Sequence, residues 1–218
     1  MKVFKRPLIT FVIVLTITIS VTINGYTRKE VPEVSPKNRV REILTSVMKI
    51  QNDPDLQGHV NRYKRALKIK KIIRQNFDSY GMAKKSIEEY WRTIPRNKKT
   101  KFSEVFSDLF QDSYTRLVLN FLKREHIEYL GEQIKDGKAI VKTAIVRSND
   151  RILVDYYLKQ VKGKWIIEDV SIDGVSIVGN YSSIFKREIA RNSFDSLLKK
   201  MVIQQKAIKM KLVENKKV

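Results

Sequence analysis

The chain has 218 residues, 42% of them hydrophobic and 31% charged, a balance that suits one folded globular domain and excludes a wholly disordered chain. It contains no cysteine, which excludes disulfides, thiol catalysis, thiolate metal sites and the acylated cysteine of a bacterial lipoprotein. Its formal net charge is +21, and a field of that sign attracts nucleic acid, anionic lipid headgroups or an acidic protein surface alike.

At the amino terminus, Lys2, Lys5 and Arg6 precede an apolar run from Leu8 to Ile23 that contains no acidic residue. This is the pattern of a secretory signal peptide over residues 1–25, with cleavage expected after Gly25 and a site near Ser20 as the alternative. The competing reading is an uncleaved anchor, for which the run falls short of the roughly twenty apolar residues that span a bilayer. Loss of Lys2, Lys5 and Arg6 with the leader lowers the charge from +21 to +18. Export argues against nucleic acid as a partner.

Residues 26–38 read as a flexible leader, at whose end Ser35 and Pro36 are placed as N-cap and first helical residue. The main α+β domain follows over 39–204, with a basic tail over 205–218 that is either a frayed helix or disordered. Val40, Ile43, Leu44, Val47 and Met48 repeat at the spacing of one buried helical face, and Asn52 to Gly58 break it. A basic helix is expected from His59 to Asn76, with Val60, Tyr63, Leu67, Ile72 and Ile73 inward. A third helix spans Ser79 to Thr93 and stops before Pro95. The clearest periodicity runs from Lys99 to Arg124, where Phe102, Val105, Phe106, Leu109, Phe110, Tyr114, Leu117, Val118 and Phe121 recur at three- and four-residue steps.

The period then changes to two. Strands are expected at 126–134, 138–147, 151–161 and 164–172, separated by turns at Asp136-Gly137, Asn149-Asp150 and Lys162-Gly163. Helices from Ser176 to Arg191 and from Phe194 to Met201 complete an α+β fold, with a helical layer packed on one face of a four-stranded antiparallel meander. Gly174 is expected to permit the turn out of the last strand, and Ser176 to cap the helix after it.

Catalytic signatures are sparse. His59 and His126 lie in different elements without a neighbouring ligand motif, and no nucleophile elbow, P-loop or dinucleotide fingerprint occurs. Glu168, Asp169 and Asp173 are the remaining acidic candidates for hydrolysis, against the plainer reading that they form a polar rim at the end of the strand. The chain is therefore read as not an enzyme.

The stretch from Trp165 to Tyr181, with Glu168-Asp169-Val170, Ile172-Asp173-Gly174-Val175-Ser176 and Gly179-Asn180-Tyr181, followed by Phe185 and Ile189, resembles the signature of MlaC-type phospholipid-binding proteins, also called the toluene-tolerance family. Upstream, Phe77-Asp78, Met82-Ala83, Tyr90-Trp91, Phe102, Phe106 and Tyr114 follow in that family's order, so that the resemblance covers Arg39 to Gln204. Ser182 stands where the family commonly has Arg, and Asn192 and Ser193 where it has Gly before the last helix. The resemblance implies a periplasmic phospholipid carrier with acyl chains held in an apolar cavity between helices and sheet. Such a carrier shuttles lipid between an outer-membrane lipoprotein complex and an inner-membrane ABC transporter with an MCE-domain ring, maintaining outer-membrane lipid asymmetry. It needs no cofactor and no metal. The expected lipid lining is Trp91, Phe106, Phe110 and Tyr114 from helices, Tyr129, Val141, Tyr156 and Trp165 from strands, and Val175, Ile177 and Tyr181 at the mouth. The alternative is a basic extracytoplasmic module that docks on an acidic protein or membrane surface and encloses no ligand.

Overall fold

The computed structural model describes residues 34–214, so the expected signal peptide lies outside the described residues. Helix α1 (Pro36–Asn52) starts as its sequence dictates: Ser35 Oγ accepts from the Asn38 amide at 3.2 Å, and Pro36 occupies the first turn. A 3-10 turn at Pro54–Leu56 leads to α2 (Arg62–Asn76). Next come α3 (Ser79–Ser86), the single turn α4 (Glu88–Trp91) and the long α5 (Arg96–Phe121). Strands β1 (His126–Lys135), β2 (Lys138–Val146), β3 (Arg151–Val161), β4 (Lys164–Ile172) and β5 (Val175–Ser176) precede α6 (Ile177–Arg191) and α7 (Phe194–Glu214).

The sheet is an antiparallel meander in the order β1-β2-β3-β4-β5. Asp136-Gly137, Lys162-Gly163 and Asp173-Gly174 all have positive φ at both positions, which matches the twist of two-residue hairpins. The third of these pairs corrects the expected strand count from four to five. Asp173-Gly174 reverses the chain so tightly that Val175 and Ser176 pair with Ile172 and Ser171 before α6 begins. A two-residue strand is too short to show alternation. The expected Asn149-Asp150 turn is instead part of a wider loop, closed by the Arg147 amide donating to the Asp150 carbonyl at 2.9 Å.

Three helical expectations need correction. The third helix is broken at Ile87, whose φ of −133° is not helical; this side chain is fully buried, so packing overrides helix continuity. In α2 it is Ile69 and Ile73 that are buried, while Val60 and Leu67 are 86% and 50% exposed. Seven cations in fifteen residues leave the apolar stripe there too ragged to show its face. Helix α7 continues well past Met201 into the expected tail, tied to α5 by Gln205 Nε2 donating to Asp108 Oδ2 at 2.6 Å, with Val202 and Ile208 against the core.

The core lies between the helical layer and one sheet face. Val141, Tyr156 and Val170 stand in register across β2, β3 and β4, and all three are buried. Facing them, Phe102, Phe106, Phe110 and Tyr114 form a ladder along α5, with ring centroids 6.2, 6.2 and 5.5 Å apart. Phe185 and Tyr181 of α6 pack edge-on against Phe106 at 6.2 and 5.2 Å. The Phe77–Asp78 segment docks on β4, where the Asp78 amide donates to the Ile167 carbonyl at 2.8 Å. Phe106 is 1% exposed and lies within this ladder. Phe106→Ala should therefore cost about 3–5 kcal/mol by removing a packed ring; a urea midpoint equal to the parent's would show that the ladder is not the core.

Candidate functional site

The α1 face of Ile43, Leu44 and Val47, the α2 residues Ile72 and Ile73, and Phe77 form one wall of an apolar cavity. Tyr114, Leu117, Val118, Phe121 and Leu122 supply the α5 side, and Ile145, Val154, Tyr156, Ile167 and Ile172 the sheet side. Its volume is about 70 Å³. A second space of about 260 Å³ opens between α5 and the β4–α6 connection, lined by Phe110, Ser113, Tyr114, Leu117, Ile172, Val175, Ser176, Ile177, Asn180 and Tyr181. Tyr114, Leu117 and Ile172 belong to both linings. They stand where the smaller, more enclosed cavity meets the more open groove.

The wall of the groove is fixed by Asp169, a buried carboxylate. Its Oδ2 accepts from Ser176 Oγ at 2.5 Å, and its Oδ1 from the Val178 and Val170 amides at 3.1 and 2.8 Å. Ser176 Oγ accepts in turn from the Gly179 amide at 2.8 Å, as an N-cap should. A side chain at Gly179 would stand 3.1 Å from that hydroxyl, so glycine lets the cap sit tight. These bonds aim the first turn of α6 at the groove.

The polar-rim reading of the acidic residues holds only in part. Asp169 is buried at the β4–α6 junction, Asp173 Oδ1 accepts from the Leu153 amide at 2.9 Å, and Glu168 pairs with Lys138 at 3.5 Å. Each therefore has a structural partner. Both histidines are exposed, and among the described residues no three His, Asp or Glu side chains come together as metal ligands. Among those residues, too, no helix is long and apolar enough to cross a membrane.

Of the residues expected to line a lipid, Tyr114 and Tyr156 face the smaller cavity, and Phe110, Tyr114, Val175, Ile177 and Tyr181 face the groove. Trp91, Phe106, Tyr129, Val141 and Trp165 line neither of these two spaces. Trp91 packs edge-on against Tyr80 at 5.9 Å, Tyr129 lies under the Arg41 guanidinium at 4.5 Å, and Val141 is fully buried. Sequence reasoning read the α1 face as buried and named Phe106, Phe110 and Tyr114 from the α5 stripe as lining, but it did not name Ile43, Val47, Leu117 and Phe121, which line the smaller cavity. Their i, i+3, i+4 spacing is the signal that could have found them.

Burial pushes the Tyr114 phenol well above its ordinary range, with Tyr156 and Asp169 adding repulsion against ionisation. Burial likewise raises Tyr156, with a smaller contribution from Tyr129. Both phenols stay neutral, as an apolar chamber requires. A raised phenol pKa means that the unfolded chain gives up its protons first. Stability is then intact below about pH 10 and falls as pH rises above it. Urea midpoints at about pH 9 and about pH 11 should lie closer together in Tyr156→Phe than in the parent; an unchanged gap would remove Tyr156 from that account.

The model of the family described as MlaC protein matches residues 41–202. A solved structure of a phospholipid-binding protein from Ralstonia solanacearum, determined in complex with a phospholipid, superposes with a TM-score of 0.67 at 16% identity, covering 78% of this chain and 97% of that one. At that identity the likeness is one of fold. No curated protein matches the chain.

Proposed function

The chain belongs to the MlaC protein family, and on that premise we propose that it is a phospholipid-binding protein whose acyl chains occupy the space between the helical layer and the sheet. The observation that carries this reading is the paired apolar spaces, about 70 and 260 Å³, whose linings share Tyr114, Leu117 and Ile172. Ligand pockets run from about 300 to 1,000 Å³, so neither space alone holds a lipid. Swinging the three shared side chains aside joins them into one chamber, lined by aliphatic and aromatic groups and open at the groove.

Such a chamber makes lipid uptake close to an exchange. Each methylene gains on the order of 0.8 kcal/mol on leaving water, and gains about as much in a bilayer as in an apolar protein interior. The protein therefore need only match the bilayer, and can release what it takes up. Binding of this kind uses no bond-making chemistry, in keeping with a carrier and not an enzyme.

The finer parts of the reading rest on family membership. The protein works in the periplasm after removal of residues 1–25, and shuttles phospholipid between an outer-membrane lipoprotein complex and an inner-membrane ABC transporter with an MCE-domain ring. One observation favours the alternative of a docking module without an enclosed ligand: the outer face of α2, where Lys64, Lys68 and Lys71 surround the exposed Leu67, carries charge and apolar surface together.

Mass spectrometry of organic extracts decides between them. The exported protein, purified without detergent, should yield about one phospholipid per chain; no bound lipid together with no uptake from liposomes would establish the docking module instead. Ile172→Glu places a charge where the two spaces meet and should reduce bound lipid at least roughly tenfold, because an unpaired buried charge costs several kcal/mol. Undiminished lipid in a variant with parental circular dichroism would remove Ile172 from the path of the chains.

A further inference from the structure

The end of the helical layer holds a third cavity, of about 800 Å³, where α1 and α5 end, α2 begins and β1 starts. Its lining includes Arg62, Arg65, Lys123, Arg124, Arg147 and His126, against a single carboxylate, Glu125. Cations near helix C-termini are ordinary, since they complement the carbonyl ends. That accounts for Arg147, which donates to the Phe121 carbonyl at 2.5 Å and lies 3.5 Å from Glu125. It also accounts for Arg65, bonded to the Leu56 and Gly58 carbonyls.

It does not account for the rest. Arg62 donates to Asn120 Oδ1 at 2.8 Å and Arg124 to Asn52 Oδ1 at 3.2 Å, both neutral partners. Among the described residues none of Arg62, Arg65, Lys123 and Arg124 forms an ion pair. The two amides hold their guanidiniums in place without neutralising them, and most of the five N–H donors on each are left over. Four like charges in one concave site repel each other, and an anion relieves that repulsion.

This cleft adjoins the apolar cavity. Gln51, in the cleft lining, donates to the Val118 and Leu122 carbonyls at 3.1 and 2.7 Å, and the side chains of Val118 and Leu122 line the cavity. The Arg147 guanidinium lies 5.8 Å over the ring of Phe121, itself a cavity residue that is 50% exposed. The groove beside α6, by contrast, is lined by no Lys or Arg. Resting on the phospholipid-binding reading, we propose that the cleft is a phosphate subsite that takes the phosphodiester headgroup of an anionic lipid, whose chains pass Phe121 into the apolar space. The polar end of the ligand then lies at the C-terminal end of α5 and not at the α6 groove.

The test uses the exported full chain and vesicles of equimolar phosphatidylglycerol and phosphatidylcholine, with extracted lipid counted by mass spectrometry. The parent should enrich phosphatidylglycerol about tenfold, because both lipids carry the phosphodiester but only phosphatidylcholine adds a cation that the Arg and Lys side chains of the cleft repel. The combined variant Arg62→Gln, Lys123→Gln, Arg124→Gln should bring that ratio near unity while keeping the parental circular dichroism spectrum. A control that removes equal charge outside the cleft, Lys64→Gln, Lys68→Gln, Lys71→Gln, should keep the parental ratio. An unchanged ratio in the cleft variant, or an equal loss in the control, overturns the subsite. Inorganic phosphate titrated into lipid-free protein separates the sources: phosphate binding that the cleft variant abolishes, without any headgroup preference in the parent, overturns the headgroup assignment in favour of free phosphate. A parent that takes up no lipid at all sinks the lipid-binding reading instead; phosphate binding lost in the cleft variant would then still uphold the cleft as a phosphate site, and its absence would end both.

Discussion

The aromatic ladder of α5 is the contact on which the rest of this structure depends. Four rings spaced one helical turn apart can stack only if the helix runs without interruption, and α5 does so for 26 residues. Phe102, Phe106 and Phe110 are almost completely buried, and full burial of such a side chain contributes about 1.5–3 kcal/mol. Rings from α6 and from the Phe77 segment close on this ladder from both sides. The lower half of the same helix, from Tyr114 to Phe121, is less tightly sealed. The ladder thus divides α5 into a part that holds the fold and a part that borders empty space.

The division has a chemical counterpart. Where the helix is sealed, its neighbours are other rings; where it is open, they are mostly aliphatic side chains from α1, α2 and the sheet, with Phe77, Tyr156 and Tyr181 among them. Aliphatic walls tolerate displacement more readily than a close ring stack, because they make no directional contacts. The buried carboxylate of Asp169 is fully committed to backbone and hydroxyl donors at the β4–α6 junction. Charge is kept out of the chamber and gathered at its end, which is the distribution that an amphiphile with an anionic head would match.

Much of this could be read from the residues themselves. The α+β class, the meander, the strand limits to within a residue and the cap at Ser176 all follow from local rules: period two, positive-φ turn pairs and a hydroxyl before an amphipathic run. The family resemblance carried by the stretch from Trp165 to Tyr181 was equally local, and the family match over residues 41–202 agrees with it. The break at Ile87 and the extension of α7 were not legible, because in both cases packing against α5 or the core decides the outcome and no neighbouring residue announces it.

The candidate site was legible only by composition. An apolar stripe states that a face is buried, not whether it meets a neighbour or a void, since the same leucine or phenylalanine serves both. Trp91, Val141 and Trp165 are as apolar as Leu117 and Ile172, yet only the last two border the open space. The sequence by itself determined the class of fold, the family and the excess of positive charge, because these depend on local periodicity and on counting. The tertiary structure alone decided which apolar residues enclose the chamber and which cations converge beside it, because both are set by distances between segments far apart in the chain.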